Sequence, residues 1–389
     1  MKTGIITLFG EINYGNRLQN YAVSRLLQKY GGVETIVIQS ESNIKKTIRE
    51  WFLNRWGVAF RHKIPYRMSM AARERRFRFV RFTEKHIPLR YYKCSSFTDM
   101  QKLERDYACF VTGSDQVWNP FFWGDAEADR LFNLYFLAFA PDGKRIAFSA
   151  SIGINTLPEK WKGKFSEEWK KFRAISVRED RGAEIIRECC QIDVPVLIDP
   201  TLALSKEEWM SVSDPDVRLP GRYALLCFLG NKTDEYQKMI HAVIEERKLD
   251  CVELNNEDCP EYYRLGPDGF LTAVERADIV FTDSFHAAVF SIIFEKPFIT
   301  FDRLGEEKYC MNSRMNTLFG KLGMKGRMYG GEKGFDIDIG SLFSFDYTSV
   351  KRHLKEEQNI MRDYLDNVFL TGENHEVKWE NYAERKKHA

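Results

Sequence analysis

The sequence predicts an α/β protein of two domains, each a parallel sheet wrapped by helices. Three observations predict it. Apolar runs of about four to eight residues alternate with longer segments of helical period. That alternation occurs twice, once before Pro200 and once after it. The chain, at 389 residues, exceeds what one core ordinarily encloses and suits two. Two such series make two Rossmann-like domains facing a cleft, over residues 1–203 and 204–345. A C-terminal helix and tail over 346–389 is expected to pack back on the first domain.

In chain order, GIITLF reads as a first strand and turn. Its apolar stretch is short and lacks the small-residue cleavage site of a leader peptide. TIVIQ, YACFVTG, RIAFSAS, AISVR and VLIDP come next as strands, with helices over 17–30, 161–172 and 181–190. The second series is strand YALLCFLG, helix 233–247, strand CVELN, a short helix near 271–276, strand IVFTD, helix 284–295 and strand FITFD. A last amphipathic pattern over 347–368 predicts the C-terminal helix.

Residues 41–93 stand apart as a basic helical insertion in the first domain. They hold fifteen Lys/Arg against four Asp/Glu, a local excess of +11. The whole chain carries +2, so the remainder carries −9. Aromatic residues are interleaved: Trp51, Phe52, Trp56, Phe60, Phe77, Phe79 and Phe82. Such a segment suits a peripheral contact with an anionic membrane surface or a grip on an anionic, lipid-linked substrate. The plainer alternative is a helix with an apolar core side and a solvated basic face.

Composition narrows the function classes. A hydrophobic content of 44% with 29% charged residues is ordinary for a soluble globular chain. A net charge of +2 speaks against a general nucleic-acid binder. No apolar run approaches the roughly 18 residues that span a bilayer. The cysteines (94, 109, 189, 190, 227, 251, 259 and 310) show no CxxC and no zinc-type spacing. That usage fits a reducing, cytoplasmic setting and argues against a metal site. The first strand–helix turn, GEINYGNRLQN, is not GxGxxG, so a nicotinamide or flavin fingerprint is absent.

Ligands of open α/β sheets bind beyond the carboxyl ends of the strands, which singles out four loops. In residues 10–20, Asn13, Gly15, Asn16, Arg17 and Gln19 gather donors at a helix N-terminus able to receive an anion or sugar hydroxyls. In 113–120, Asp115, Gln116 and Asn119 beside Trp118 form a carbohydrate-contact palette; a capped turn over a buried tryptophan is the alternative. In 176–182, Arg178 ends a strand with its fork available to phosphate or carboxylate, while Asp180 caps the next helix. A local salt bridge of Arg178 to Glu179 or Asp180 is the alternative there. The fourth loop is TDSFHAAVF, where Asp283 or Thr282 is expected as N-cap and His286 falls in the first turn. A helix N-terminus attracts anions and disfavours a neighbouring positive charge. An imidazole that gains its proton beside a bound anion suits a general acid, whereas a lone histidine is ordinarily structural. Lys308 and Arg314 downstream add cations that close over the same ligand.

NYGNRLQNYA, VTGSDQVWNP, IAFSASIG, ISVREDRG, PTLAL and DSFHAAVFSIIFEKPFI, in this order over about residues 4–325, resemble the polysaccharide pyruvyl transferase family. The resemblance implies a two-domain fold similar to GT-B glycosyltransferases, no cofactor, and phosphoenolpyruvate as donor substrate. It further implies a pyruvate ketal on a sugar of a surface polysaccharide, often while that sugar is lipid-linked. Arg178 matches the arginine expected to hold the donor's phosphate or carboxylate, and His286 the histidine expected as general acid. The family's Arg-Leu-His triplet departs here to Ser284, Phe285 and His286, leaving Lys308 or Arg314 to supply the missing cation. Asp115 and Asp283 are the candidate bases for the acceptor hydroxyls, and no metal is demanded. The alternative function is a GT-B-like glycosyltransferase using a nucleotide sugar.

Overall fold

A computed structural model describes residues 2–9, 12–39, 69–303, 311–324, 327–329 and 339–370. The first sheet has six strands: β1 (Lys2–Ile6), β2 (Gly32–Gln39), β3 (Leu89–Lys93), β4 (Cys109–Gly113), β5 (Arg145–Ala150) and β6 (Ala174–Val177). They are parallel and run β3-β2-β1-β4-β5-β6. The second has β7 (Tyr223–Cys227), β8 (Asp250–Glu253), β9 (Ile279–Thr282), β10 (Phe298–Phe301) and β11 (Met328–Tyr329), again parallel, in the order β11-β10-β9-β7-β8. The chain is thus α/β with two Rossmann-like sheets. Their central strands are buried along their whole length, as β4, β5, β7 and β9 are, because helices cover both faces. Strand order reverses between β1 and β4 in one sheet and between β7 and β9 in the other. A crevice opens at each reversal.

Six helices position the functional side chains: α1 (Tyr14–Leu27), α2 (Met70–His86), α3 (Asp180–Cys190), α4 (Phe285–Ile293), α5 (Met311–Leu322) and α6 (Thr348–Phe369). α1 begins three residues before the expected start because the Asn13 side chain accepts the Asn16 N–H and caps the helix early. α6 returns to the first sheet, where Tyr364 Oη donates to Ala147 O at 2.9 Å and Arg173 Nη2 donates to Val368 O at 3.1 Å.

Two expectations are corrected. VLIDP forms no strand: Val196 makes one isolated bridge to Val177, and the chain then enters a 3-10 turn at Pro200–Ala203. Residues 41–93 are not wholly an insertion either. Their last five form β3, the edge strand of the first sheet, paired with β2. Residues 40–68, with Trp51, Phe52, Trp56 and Phe60, lie outside the described residues, as does Lys308.

The two domains share one apolar core that runs through the seam between them. Arg75 of α2 is built into that seam. Its Nη1 donates to Leu254 O and Tyr263 O, both at 2.8 Å, and its Nη2 to Asn255 Oδ1 at 2.8 Å. The guanidinium also lies 4.6 Å from the Tyr14 ring, and Tyr14 Oη donates to Leu265 O at 3.0 Å.

Candidate active site

The carboxyl ends of both sheets converge on His286, in the first turn of α4. Gly15, in the first turn of α1, packs against the imidazole: a Cβ there would stand 2.1 Å from His286 Nδ1. Two helix N-termini therefore approach one another with only the ring between them, and glycine is what makes the approach possible. Gly15→Ala is expected to displace the ring and to cost about 1–3 kcal/mol through overpacking. A thermal melt paired with a turnover assay checks this, and both should fall.

Arg178 leaves the end of β6 and is buried. Its Nη1 donates to Asp199 Oδ2 at 2.5 Å, and its Nη2 stands 3.9 Å from Asp115 Oδ1. Nε and Nη2 have no hydrogen-bond acceptor among the described residues. Burial works against its charge, but Asp199, Asp115 and Glu179 together outweigh burial and raise its pKa above the ordinary value. The alternative of a local ion pair with Glu179 or Asp180 is not realised; Asp199 takes the arginine instead.

Asp199 is the hub of the site. Oδ2 accepts from Ser114 Oγ at 3.1 Å as well as from Arg178, and lies 3.7 Å from His286 Nε2. Oδ1 accepts from Thr201 N at 3.0 Å and Thr201 Oγ1 at 2.6 Å. Burial favours the neutral acid, but Arg178 and His286 override it and hold the carboxyl well below the usual carboxylate range. One buried carboxylate thus touches the first domain's arginine and faces the second domain's histidine, whose Nε2 makes no hydrogen bond among the described residues.

Phe285 forms a plate beneath two cations. The Arg178 guanidinium is 4.6 Å from its ring, and that of Arg314, on α5, is 5.6 Å away. Arg314 is pushed down to about 10, first by burial and then by Arg178. α5 reaches this position by docking on α3, where Asp180 N donates to Thr317 Oγ1 at 3.0 Å and Thr317 Oγ1 donates to Asp180 Oδ2 at 2.9 Å. Arg17 is likewise pushed down to about 10 by burial, with its guanidinium 4.1 Å from the Phe9 ring.

Glu179 is the N-cap residue of α3, yet its side chain makes no capping bond. Its Oε1 accepts instead from Ser151 Oγ (3.0 Å), Ile152 N (2.7 Å) and Gly153 N (3.0 Å). Oε2 is buried with no hydrogen-bond partner among the described residues. Gly153 adopts φ +66°, and a Cβ there would stand 2.0 Å from Gln116 Oε1, so the loop that grips Glu179 requires glycine.

The family model for polysaccharide pyruvyl transferase matches residues 13–304, a span that includes Arg178, Glu179, Asp199 and His286. This chain belongs to that family. No curated protein matches it. Solved structures similar to it are remote in sequence. UDP-GlcNAc 2-epimerase from Neisseria meningitidis, bound to UDP-GlcNAc, is 10% identical over 94% of this chain and 99% of its own, with a TM-score of 0.46. HepE from Anabaena, in complex with UDP and glucose, is 9% identical over 100% of both chains, with a TM-score of 0.46. The ADP-heptose LPS heptosyltransferase II of E. coli is 10% identical over 93% of this chain and 100% of its own, with a TM-score of 0.37.

Several residues singled out in this family member's sequence serve to build the loops. Trp118 is fully buried among Phe136, Trp169 and Phe172, and its Nε1 donates to Tyr135 O at 3.3 Å; it is core and offers no sugar platform. Asn119 Nδ2 donates to Gln116 Oε1 at 3.1 Å, and its Oδ1 accepts from Phe121 N at 3.1 Å. Gln19 Nε2 donates to Thr7 Oγ1 at 2.9 Å, and its Oε1 accepts from Ser114 N at 3.3 Å. Asn13 caps α1 through the Asn16 N–H, and Asn16 itself is buried. Asp283 is neither N-cap nor open base: Oδ1 accepts from Leu229 N (2.7 Å), and Oδ2 from Gly230 N (2.7 Å) and Arg303 Nε (3.2 Å). Ser284 is the N-cap of α4, without a side-chain capping bond, and Glu179 precedes α3 where Asp180 was expected to. Both hydrogen-bonding and ionic contacts of the Asp115 carboxylate, to Gln116 N at 2.8 Å and to Arg178, fall on Oδ1. Asp199 and Glu179 are not among the expected site residues, although each carries a signal: Asp199 ends an apolar run at the cleft side, and Glu179 adjoins Arg178.

Proposed function

We propose that the chain transfers pyruvate from phosphoenolpyruvate to two hydroxyls of one sugar, forming a pyruvate ketal in the assembly of a surface polysaccharide. The observation that carries this reading is the buried pair Arg178 and Arg314 over Phe285, beside His286, with Arg178 Nε and Nη2 making no hydrogen bond among the described residues. Buried donors without acceptors imply a ligand that supplies them, and two guanidiniums suit a small molecule bearing both phosphate and carboxylate. Arg314 stands in for the arginine that the family carries where this chain has Ser284.

In this reading His286 protonates the methylene carbon of the enol phosphate, and positive charge develops on the adjacent carbon. The first hydroxyl attacks that carbon and gives its proton to a base. Phosphate then leaves with its bonding electron pair, and the second hydroxyl closes the ketal. Of the two hydroxyl protons, one restores the proton that His286 gave to the new methyl group. The other passes through the base to the departing phosphate. Glu179 takes the role of base: Asp283 is committed to the β7 loop, whereas Glu179 Oε2 is a held carboxylate oxygen awaiting a donor. The arginines stabilise the charge on phosphate and carboxylate without reorganising.

Calorimetric titration with phosphoenolpyruvate, alongside UDP and CMP, tests the donor. Phosphoenolpyruvate is expected to bind the wild-type protein, and binding should vanish in Arg178→Ala. Binding of a nucleotide with no phosphoenolpyruvate signal would turn the cleft over to glycosyl transfer and overturn the proposal.

A further inference from the structure

α2 carries two apolar faces. One, with Ala71, Phe79 and Phe82, is buried in the molecule around the Arg75 seam. The other faces solvent: Met70 is 87% exposed, Phe77 65% and Val80 47%. Seven and three residues separate these positions in turn, so they lie along one side of the helix. Arg73, Arg81 and Lys85 are exposed on the same side. Glu84 is the one exposed acid there; Glu74 is half-buried and held by Arg78 at 2.9 Å and Arg264 at 3.5 Å.

We propose that this outer face of α2 docks on the surface of a bilayer containing anionic lipid. Large apolar side chains flanked by cations are the composition of a helix lying in a membrane interface. Charge complementarity selects an anionic surface: residues 69–93, which hold α2 and β3, carry eight Lys/Arg against two Asp/Glu, and such an excess is drawn to negative lipid. No helix among the described residues is long and apolar enough to cross a membrane, so the contact is peripheral. α2 borders the cleft through its inner face: the Phe79 and Tyr14 rings lie 5.2 Å apart, and Gly15, next to Tyr14, packs against the His286 imidazole. A sugar carried on a lipid would then meet the cleft from the membrane side; this consequence alone rests on the proposed ketal transfer.

The test is flotation of the full chain with vesicles of phosphatidylcholine alone and of phosphatidylcholine mixed with phosphatidylglycerol. The wild-type protein is expected to float with the anionic vesicles at low salt and to be released as salt rises. The triple variant Met70→Ser, Phe77→Ser, Val80→Ser should bind about tenfold less, and Arg73→Gln with Arg81→Gln should lose most of the salt dependence. These side chains are exposed, so each variant should keep the wild-type melting temperature and its phosphoenolpyruvate titration. Failure of that titration in the wild-type protein therefore speaks against the donor and leaves the vesicle result to stand by itself. A wild-type chain that floats with neither vesicle overturns the inference. So does a triple variant that floats as well as wild type, which would place the contact elsewhere in the chain. A triple variant that instead converts a dimer to a monomer in sedimentation assigns the face to a second copy and also overturns it.

Discussion

His286→Ala and Glu179→Gln are each expected to lower turnover by about 10²–10⁴-fold while phosphoenolpyruvate still binds. In the proposed transfer the two substitutions remove opposite halves of the proton traffic. His286 lies where Gly15 and the first turn of α1 leave room for nothing larger than its ring, so alanine deletes the imidazole without refilling the site. Glutamine at 179 is the sharper probe. It keeps an acceptor oxygen for Ser151 Oγ, Ile152 N and Gly153 N, and so keeps the loop; it replaces only the unpartnered Oε2 by an amide. A purely structural Glu179 would therefore tolerate glutamine, with turnover and melting temperature unchanged. The measurement is phosphate released from phosphoenolpyruvate across a panel of p-nitrophenyl glycosides, paired with calorimetry for donor affinity. A variant whose donor affinity collapses in step with turnover would contradict these role assignments.

Asp199→Ala is expected to cost about 3–5 kcal/mol, the effect of removing one partner from a buried ion pair. Arg178 would be left charged and buried with its shortest contact gone, and Ser114 and Thr201 would lose their acceptor. The direction of the shift sets the pH dependence. Asp199 is held below the ordinary carboxylate value, so its contribution is complete above that value, about pH 4, and is lost as pH falls through the lower folded value. Wild type and Asp199→Asn should therefore differ most near neutrality and converge in acid. Denaturant melts at a series of pH values would show it; a gap that widened toward low pH would contradict the pairing with Arg178.

Much of the fold is legible in the sequence because both sheets are buried on both faces. Runs such as YALLC and IVFT have no alternation to misread, and the helices between them show their period. β3 is hidden for the converse reason: LRYYK is a half-exposed edge strand, polar enough to pass for the end of a basic helix. VLIDP misleads because an apolar run bounded by prolines looks like a strand whether or not a ladder partner exists, and only Val196 finds one.

Arg178 and His286 could be placed from sequence alone. Each sits at the carboxyl end of a strand recognisable from apolar pattern, and the crevice of an open sheet lies beyond such ends. Which loop side chains face the cleft and which face the protein was not legible there. Trp118 turns inward to an aromatic cluster, Asp283 is consumed by amides of the β7 loop, and Arg314 is carried in by the docking of α5 on α3. Asp199, remote in sequence from His286, stands across the domain seam from it. Those outcomes belong to tertiary structure, because a polar side chain's direction is set by the nearest buried donor or acceptor, and here that partner comes from another strand or the other domain.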